Sequence, residues 1–202
     1  MKLYKLTDKN DQTHNSCQWG ENITHETDGK GELCGPGFTH WYLDPLLAVF
    51  LNSIHGDFDP KTMHLWEGEG EVIKNDHGLK VGCTKATTLR RISLPEISTE
   101  NRIKIAIICA KQVCKDQAWN TWADNWLSGK DRSRESATAT ASATASASAT
   151  ASATASATAS AASAAASAWA AWAAESAEAA ESARMVEVKD IDLLKIIKEN
   201  LK

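Results

Sequence analysis

The chain reads as an α+β protein: a small N-terminal α+β domain followed by a long alanine-rich helical region, folded back as a helical hairpin or bundle. Three observations predict this. Residues 1–98 alternate short β-type runs with Gly- and Pro-punctuated turns and enclose one helical pattern. Residues 99–130 carry an apolar stripe at helical spacing. From Ser136 to Ala161 every odd position is Ala and every even one Ser or Thr, and this tract runs into a helix-forming AWAAWAAESAEAAESAR segment.

The elements follow in order. Met1–Leu6 is a β-type run broken by the turn-forming Asp8–Asp11. Residues 15–37 are rich in Gly, Asn, Asp and Thr and read as loops closed by Gly35-Pro36-Gly37. Phe38–Leu43 reads as a strand. Asp44 and Pro45 supply an N-cap and a first-turn proline for a helix bearing Leu46, Leu47, Val49, Phe50, Leu51 and Ile54, stopped at His55-Gly56. Met63–Trp66, Glu69–Lys74, Leu79–Cys83 and Thr87–Leu94 are strand material, with a turn at Asn75–Gly78. Leu94-Pro95 closes the domain.

Thr99 is expected to cap one helix of about 28 residues. Its stripe of Ile103, Ala106, Ile107, Ala110, Val113 and Cys114 is extended by Trp119, Trp122 and Trp126, and Ser128-Gly129 ends it. Residues 131–184 form the Ala/Ser/Thr-rich segment. Strict alternation favours β structure, but residues 131–184 contain no Gly, Pro or Asn to turn a sheet, and Trp169/Trp172 and Glu178/Glu181 sit at i, i+3. A helix is expected there, about 75 Å long at 1.5 Å per residue. Residues 185–202 end the chain with a short amphipathic helix at Ile191–Leu201, carrying Leu193, Leu194, Ile197 and Leu201 on one side.

The chain has 202 residues and a formal charge of −4, which argues against nonspecific binding to nucleic acid or anionic membrane. The basic runs Lys85–Arg91 and Lys130–Arg134 read as solvated surface. No apolar run reaches the length of a membrane span. Charges occupy the first ten residues where a leader would be apolar, and the five cysteines are irregularly spaced, so reduced thiols in a cytoplasm are expected. Cys17, His25, Cys34 and His40 match no standard zinc spacing, and no metal is expected. Glu67, Glu69 and Glu71 would face one way on a strand, which suits a general base, a cation or plain solvation. No catalytic residue follows from spacing alone.

Two resemblances add to this. LYKLTDKN, LCGPGFTHWYLDPLLAVF, HLWEGEGEVI and TTLRRISLPEIS, in that order over residues 1–98, resemble an uncharacterised family of small phage and bacterial domains with a Cys-x-x-Gly-Phe-His-like element. Its members carry alanine-rich tails, which NTWADNWLSGKDRS and AAWAAESAEAAESA resemble here. The resemblance implies a phage or prophage origin, the cytoplasm of an infected or lysogenic cell, and no assigned activity. LYKLTD, GFTHWY, the following helix and the acidic strand are similar to the ADP-ribosyltransferase core. That likeness implies NAD as cofactor and Tyr4, Thr39, His40 and Glu69 or Glu71 as site residues, with Lys5 where the family grips NAD.

The expected function is a noncatalytic phage-type binding protein that interferes with host physiology or defence. Its front would recognise a small-molecule ligand or host protein, and residues 99–202 would mediate homo-oligomerisation. The alternatives are an NAD-using transferase and a surface- or ice-binding protein that presents the hydroxyl ladder.

Overall fold

The computed structural model describes residues 1–147 and 191–201. It divides into two units, Met1–Glu96 and Ile97–Lys202.

In the first unit, β1 (Lys2–Thr7), β2 (Gln12–Thr13), β3 (Cys17–Gln18), β4 (Ile23–Glu26) and β5 (Thr39–Trp41) precede two short helices, α1 (Pro45–Phe50) and α2 (Asn52–His55). Four strands follow: β6 (His64–Gly70), β7 (Lys74–Asp76), β8 (Lys80–Cys83) and β9 (Lys85–Ile92). One antiparallel sheet runs β1-β6-β9-β4, a second runs β5-β8-β7, and β2 and β3 form a hairpin. Tyr4 bridges β1 to Tyr42, just after β5, through paired backbone bonds of 2.9 Å.

Period-two alternation decides what β1 buries. Leu3, Lys5 and Thr7 share one face and are all buried. Opposite them in register on β6 stand Gly68, Trp66 and His64. The core joins Leu3 to Trp19, Trp41, Val81, Cys83 and Ala86. Gly68 is required there, because a Cβ at that position would lie 2.7 Å from the Trp41 ring and 2.5 Å from the Thr87 carbonyl. At the far end of the sheet Asp11, held at φ 61°, accepts from His64 Nδ1 at 2.8 Å, Trp66 Nε1 at 3.1 Å and Arg91 at 2.7 Å.

Several expectations are corrected. Residues 15–37 are not all loop: β3 and β4 lie within them, and β4 pairs with β9 at the sheet edge. The helix from Pro45 is capped by Asp44, whose carboxylate accepts from the Leu46 amide at 2.9 Å, but it breaks at Leu51 into α1 and α2. Met63–Trp66 and Glu69–Lys74 are not two strands; β6 runs through Gly68 and ends at Gly70.

In the second unit, α3 (Thr99–Val113) is capped by Ser98 rather than Thr99. The single helix expected over residues 99–130 is two helices. The chain turns extended at Cys114, and Asp116 caps α4 (Gln117–Leu127) by accepting from the Trp119 amide at 2.7 Å. Trp119, Trp122 and Trp126 are buried, as the stripe predicts. Gly129, at φ +76°, ends α4. The tract begins as a helix, α5 (Arg134–Ala147), with the Ser133 hydroxyl accepting from the Ser136 amide. Its remainder, with Trp169, Trp172, Glu178 and Glu181, lies outside the described residues. The last helix, α6 (Leu193–Asn200), packs on α3 and buries Leu193, Ile196 and Ile197, with Ile196 taking the place expected of Leu194 and Leu201. Among the described residues no helix is long and apolar enough to cross a membrane.

Candidate functional site

One side of the first unit opens into a cleft of about 540 Å³. Several segments build it. The β2–β3 hairpin contributes Thr13, His14, Asn15 and Cys17, and its tip is a single helical turn with Asn15 at φ 60° and Ser16 at φ 53°. Two successive non-glycine residues in the left-handed region hold the tip in a conformation that costs on the order of 1 kcal/mol at each residue. The loop before β5 contributes Cys34, Gly35, Pro36 and Phe38. It closes on itself through Gly29 and Gly37, and a Cβ on Gly37 would fall 2.0 Å from the Lys30 carbonyl oxygen. β5 supplies Thr39 and His40, and the α2 end supplies His55, Gly56 and Phe58.

Lys5 lies at the inner wall. It is 7% exposed, and its ammonium donates to the His40 carbonyl at 2.8 Å. The charge sits 4.4 Å from the Trp19 ring centre and 5.1 Å from that of Trp41. The two indoles meet edge to face at 5.3 Å. Their N–H groups are already bonded, Trp19 to Thr13 Oγ1 and Trp41 to Thr39 Oγ1, each at 3.0 Å, so toward Lys5 they offer only π faces. No carboxylate among the described residues reaches ion-pairing distance of Lys5. Burial therefore pushes its pKa down to about 8, with the Cys17 and Cys83 thiols opposing that shift.

The other polar groups are neutral or cationic. The His40 ring donates to the Leu33 carbonyl, and burial is the main cause of its lowered pKa. Tyr42 Oη and His55 Nδ1 are 3.1 Å apart. Cys17 Sγ lies 3.7 Å from His25 Nε2, and Lys80 Nζ donates to Cys34 Sγ at 3.2 Å. Among the described residues two lysines and three histidines line the cleft and no Asp or Glu does, in a chain that carries 26 acidic residues. Such a space attracts anions and stacks flat rings against its aromatic walls.

Of the residues the transferase likeness implies, Thr39 and His40 line this cleft. Tyr4 points to the other face of β1, since it alternates with Leu3 and Lys5. Glu69 shares that opposite face through its pairing with Lys2, and Glu69 and Glu71 line a separate concavity with Met1, Lys85 and Thr87. Glu67 is held by Lys2 at 2.8 Å and by Arg90 at 3.3 Å, and these bonds lower its pKa. The basic runs are largely paired: Lys85 with Glu26, Arg91 with Asp11, and Arg132 with Glu100. Of the four Cys/His positions considered for zinc, Cys17 and His25 are adjacent, whereas the His40 ring bonds backbone and Cys34 bonds Lys80.

Spacing alone did not single out the aromatic cage around Lys5. Its signal was the alternation Leu3, Lys5, Thr7, which places a lysine on a buried face.

Residues 1–100 match a family model described as Domain of unknown function (DUF7666). This first part of the chain is thus like an uncharacterised small-domain family. No curated protein and no solved structure matches the chain.

Proposed function

We propose that the protein is a binding protein whose N-terminal unit takes a small anion bearing a flat ring, of about mononucleotide size, in the Lys5 cleft. One observation carries this reading: among the described residues the cleft wall holds two lysines and three histidines and no carboxylate, and its most buried cation has no counter-charge. An anion entering would supply that charge, and the volume falls within the usual range for small-ligand sites. In this reading the alanine-rich rear gathers copies of the chain, and the resemblance to phage-borne domains supports binding in the cytoplasm of an infected cell, directed at host physiology or defence.

Titration calorimetry tests the cleft. AMP, ADP and NAD bind with an affinity that falls as salt rises, uncharged adenosine binds more weakly, and Lys5→Met weakens AMP by tenfold or more, about 1.4 kcal/mol. Adenosine binding as tightly as AMP, or no heat from any of these anions at millimolar concentration, would overturn the reading.

A second reading, an NAD-using transferase, draws on Thr39 and His40 in the same cleft. Its expected acids Glu69 and Glu71 lie at the other concavity, so this reading needs its glutamate supplied from elsewhere. Nicotinamide release from NAD in host lysate, lost in Thr39→Ala and His40→Ala variants, would favour it over binding alone. The surface-binding alternative requires an extended hydroxyl face, and Arg134–Ala147 is helical.

A further inference from the structure

We propose that Lys5 is a nucleophile, its ε-amine condensing reversibly with the carbonyl of an anionic aldehyde or ketone seated in the cleft. This rests on reading the cleft as an anion site and names the chemistry of its ligand.

Geometry carries the inference. A lysine kept as a structural cation is ordinarily paired with a carboxylate or reaches water along its stem. Among the described residues Lys5 does neither: it is 7% exposed and makes one hydrogen bond, to the His40 carbonyl. Its remaining directions face Trp19, Trp41 and the cleft. The amine thus stands at the wall of a space large enough for a small carbonyl compound. Lys80, on the cleft lining, supplies a second cation for the ligand's anionic group.

The surroundings also favour the reactive form. The titratable groups facing Lys5 are the thiols of Cys17 on β3 and Cys83 on β8 and the ring of His40 on β5. Its partner across β6 is the uncharged Trp66. With a pKa of about 8, roughly a fifth of Lys5 is uncharged at pH 7.4, against about one part in a thousand for a solvated lysine. In the step itself, the Nζ lone pair attacks the carbonyl carbon. The carbonyl oxygen gains a proton and Nζ loses one, giving a carbinolamine. Loss of its hydroxyl together with the remaining Nζ proton, as water, leaves a C=N bond. No oxidant or reductant takes part.

Pyridoxal 5′-phosphate is a suitable probe, being a flat-ringed aldehyde with a phosphate. The full chain is incubated with it across pH 6–10, reduced with borohydride and mapped by peptide mass. Lys5 should be the earliest lysine trapped at pH 7.5. Its labelling should be half-maximal near pH 8, and uncharged pyridoxal should label it at least about tenfold more slowly. A Lys5→Arg variant should lose this adduct. Lys5 unlabelled, or labelled no faster than exposed lysines and with their pH midpoint, would overturn the proposal. Pyridoxal labelling Lys5 as fast as its phosphate would overturn its anionic clause. These outcomes are read on the wild-type chain, so they hold even if Lys5→Arg folds poorly. AMP binding without trapping sinks the nucleophile and leaves the binding site standing; absence of AMP binding sinks the binding reading itself.

Discussion

At the scale of single residues, Lys5 costs the fold stability. A lysine whose pKa is about 8 when folded and near 10.5 when unfolded binds fewer protons in the native state between those values. Its penalty is therefore full below pH 8 and is relieved as pH rises toward 10.5. Cys83 acts the other way: burial raises its pKa to about 11, so it lowers stability as pH climbs past 9. Between pH 8 and 9 Lys5 acts nearly alone. Urea denaturation should show the wild type gaining stability across that window relative to Lys5→Met, and Lys5→Met should be more stable at pH 7 by at most about 3 kcal/mol, less what the lost His40 bond and indole contacts contribute. Gly68→Ala should do the reverse. Its Cβ would meet the Thr87 carbonyl and the Trp41 ring, and a loss of about 1–3 kcal/mol is expected from the same titration. A residue pattern gives alternation but not company. KLYKLT announced a strand with Lys5 on the Leu3 face, yet the indoles that cage it come from residues 19 and 41, and no local signal links them to position 5.

At the scale of elements, strong local chemistry was readable and weak local chemistry was not. Asp44-Pro45 marked a helix start because a carboxylate and a ring with fixed φ act on the next few residues alone. The edge strand β4, Ile-Thr-His-Glu, has one aliphatic side chain, and its pairing with β9 is a tertiary choice that reads locally as loop. The break between α3 and α4 lies between these cases. The apolar stripe continues across it, so periodicity predicted one helix, but Asp116 offers a cap that satisfies the Trp119 amide and restarts the turn. Asp116→Ala should therefore destabilise α4 by about 1 kcal/mol, seen as a lower midpoint in far-UV circular dichroism melting. Ile197→Ala, which opens a fully buried site on α6, should cost more, about 2–5 kcal/mol.

At the scale of the whole molecule, the cleft and the alanine-rich tract fall in different units. The described residues that line the cleft fall between Lys5 and Lys80, and the unit that contains them ends at Glu96. One core cluster, Leu3, Trp19, Trp41, Val81, Cys83 and Ala86, is drawn from within that unit. A chain of residues 1–98 should accordingly fold alone, give dispersed amide resonances, and bind AMP within about twofold of the full protein. The rear should behave differently. Helical faces of alanine allow close approach of a second helix, and serine and threonine weaken such a helix in isolation, so partners stabilise what solvent alone supports poorly. Light scattering should then give a concentration-dependent mass for the full chain and a monomer mass for residues 1–98. A monomeric full chain would remove assembly from the function while leaving the cleft untouched. Equal association by both would move the interface onto the first unit, where AMP and self-association would be expected to compete.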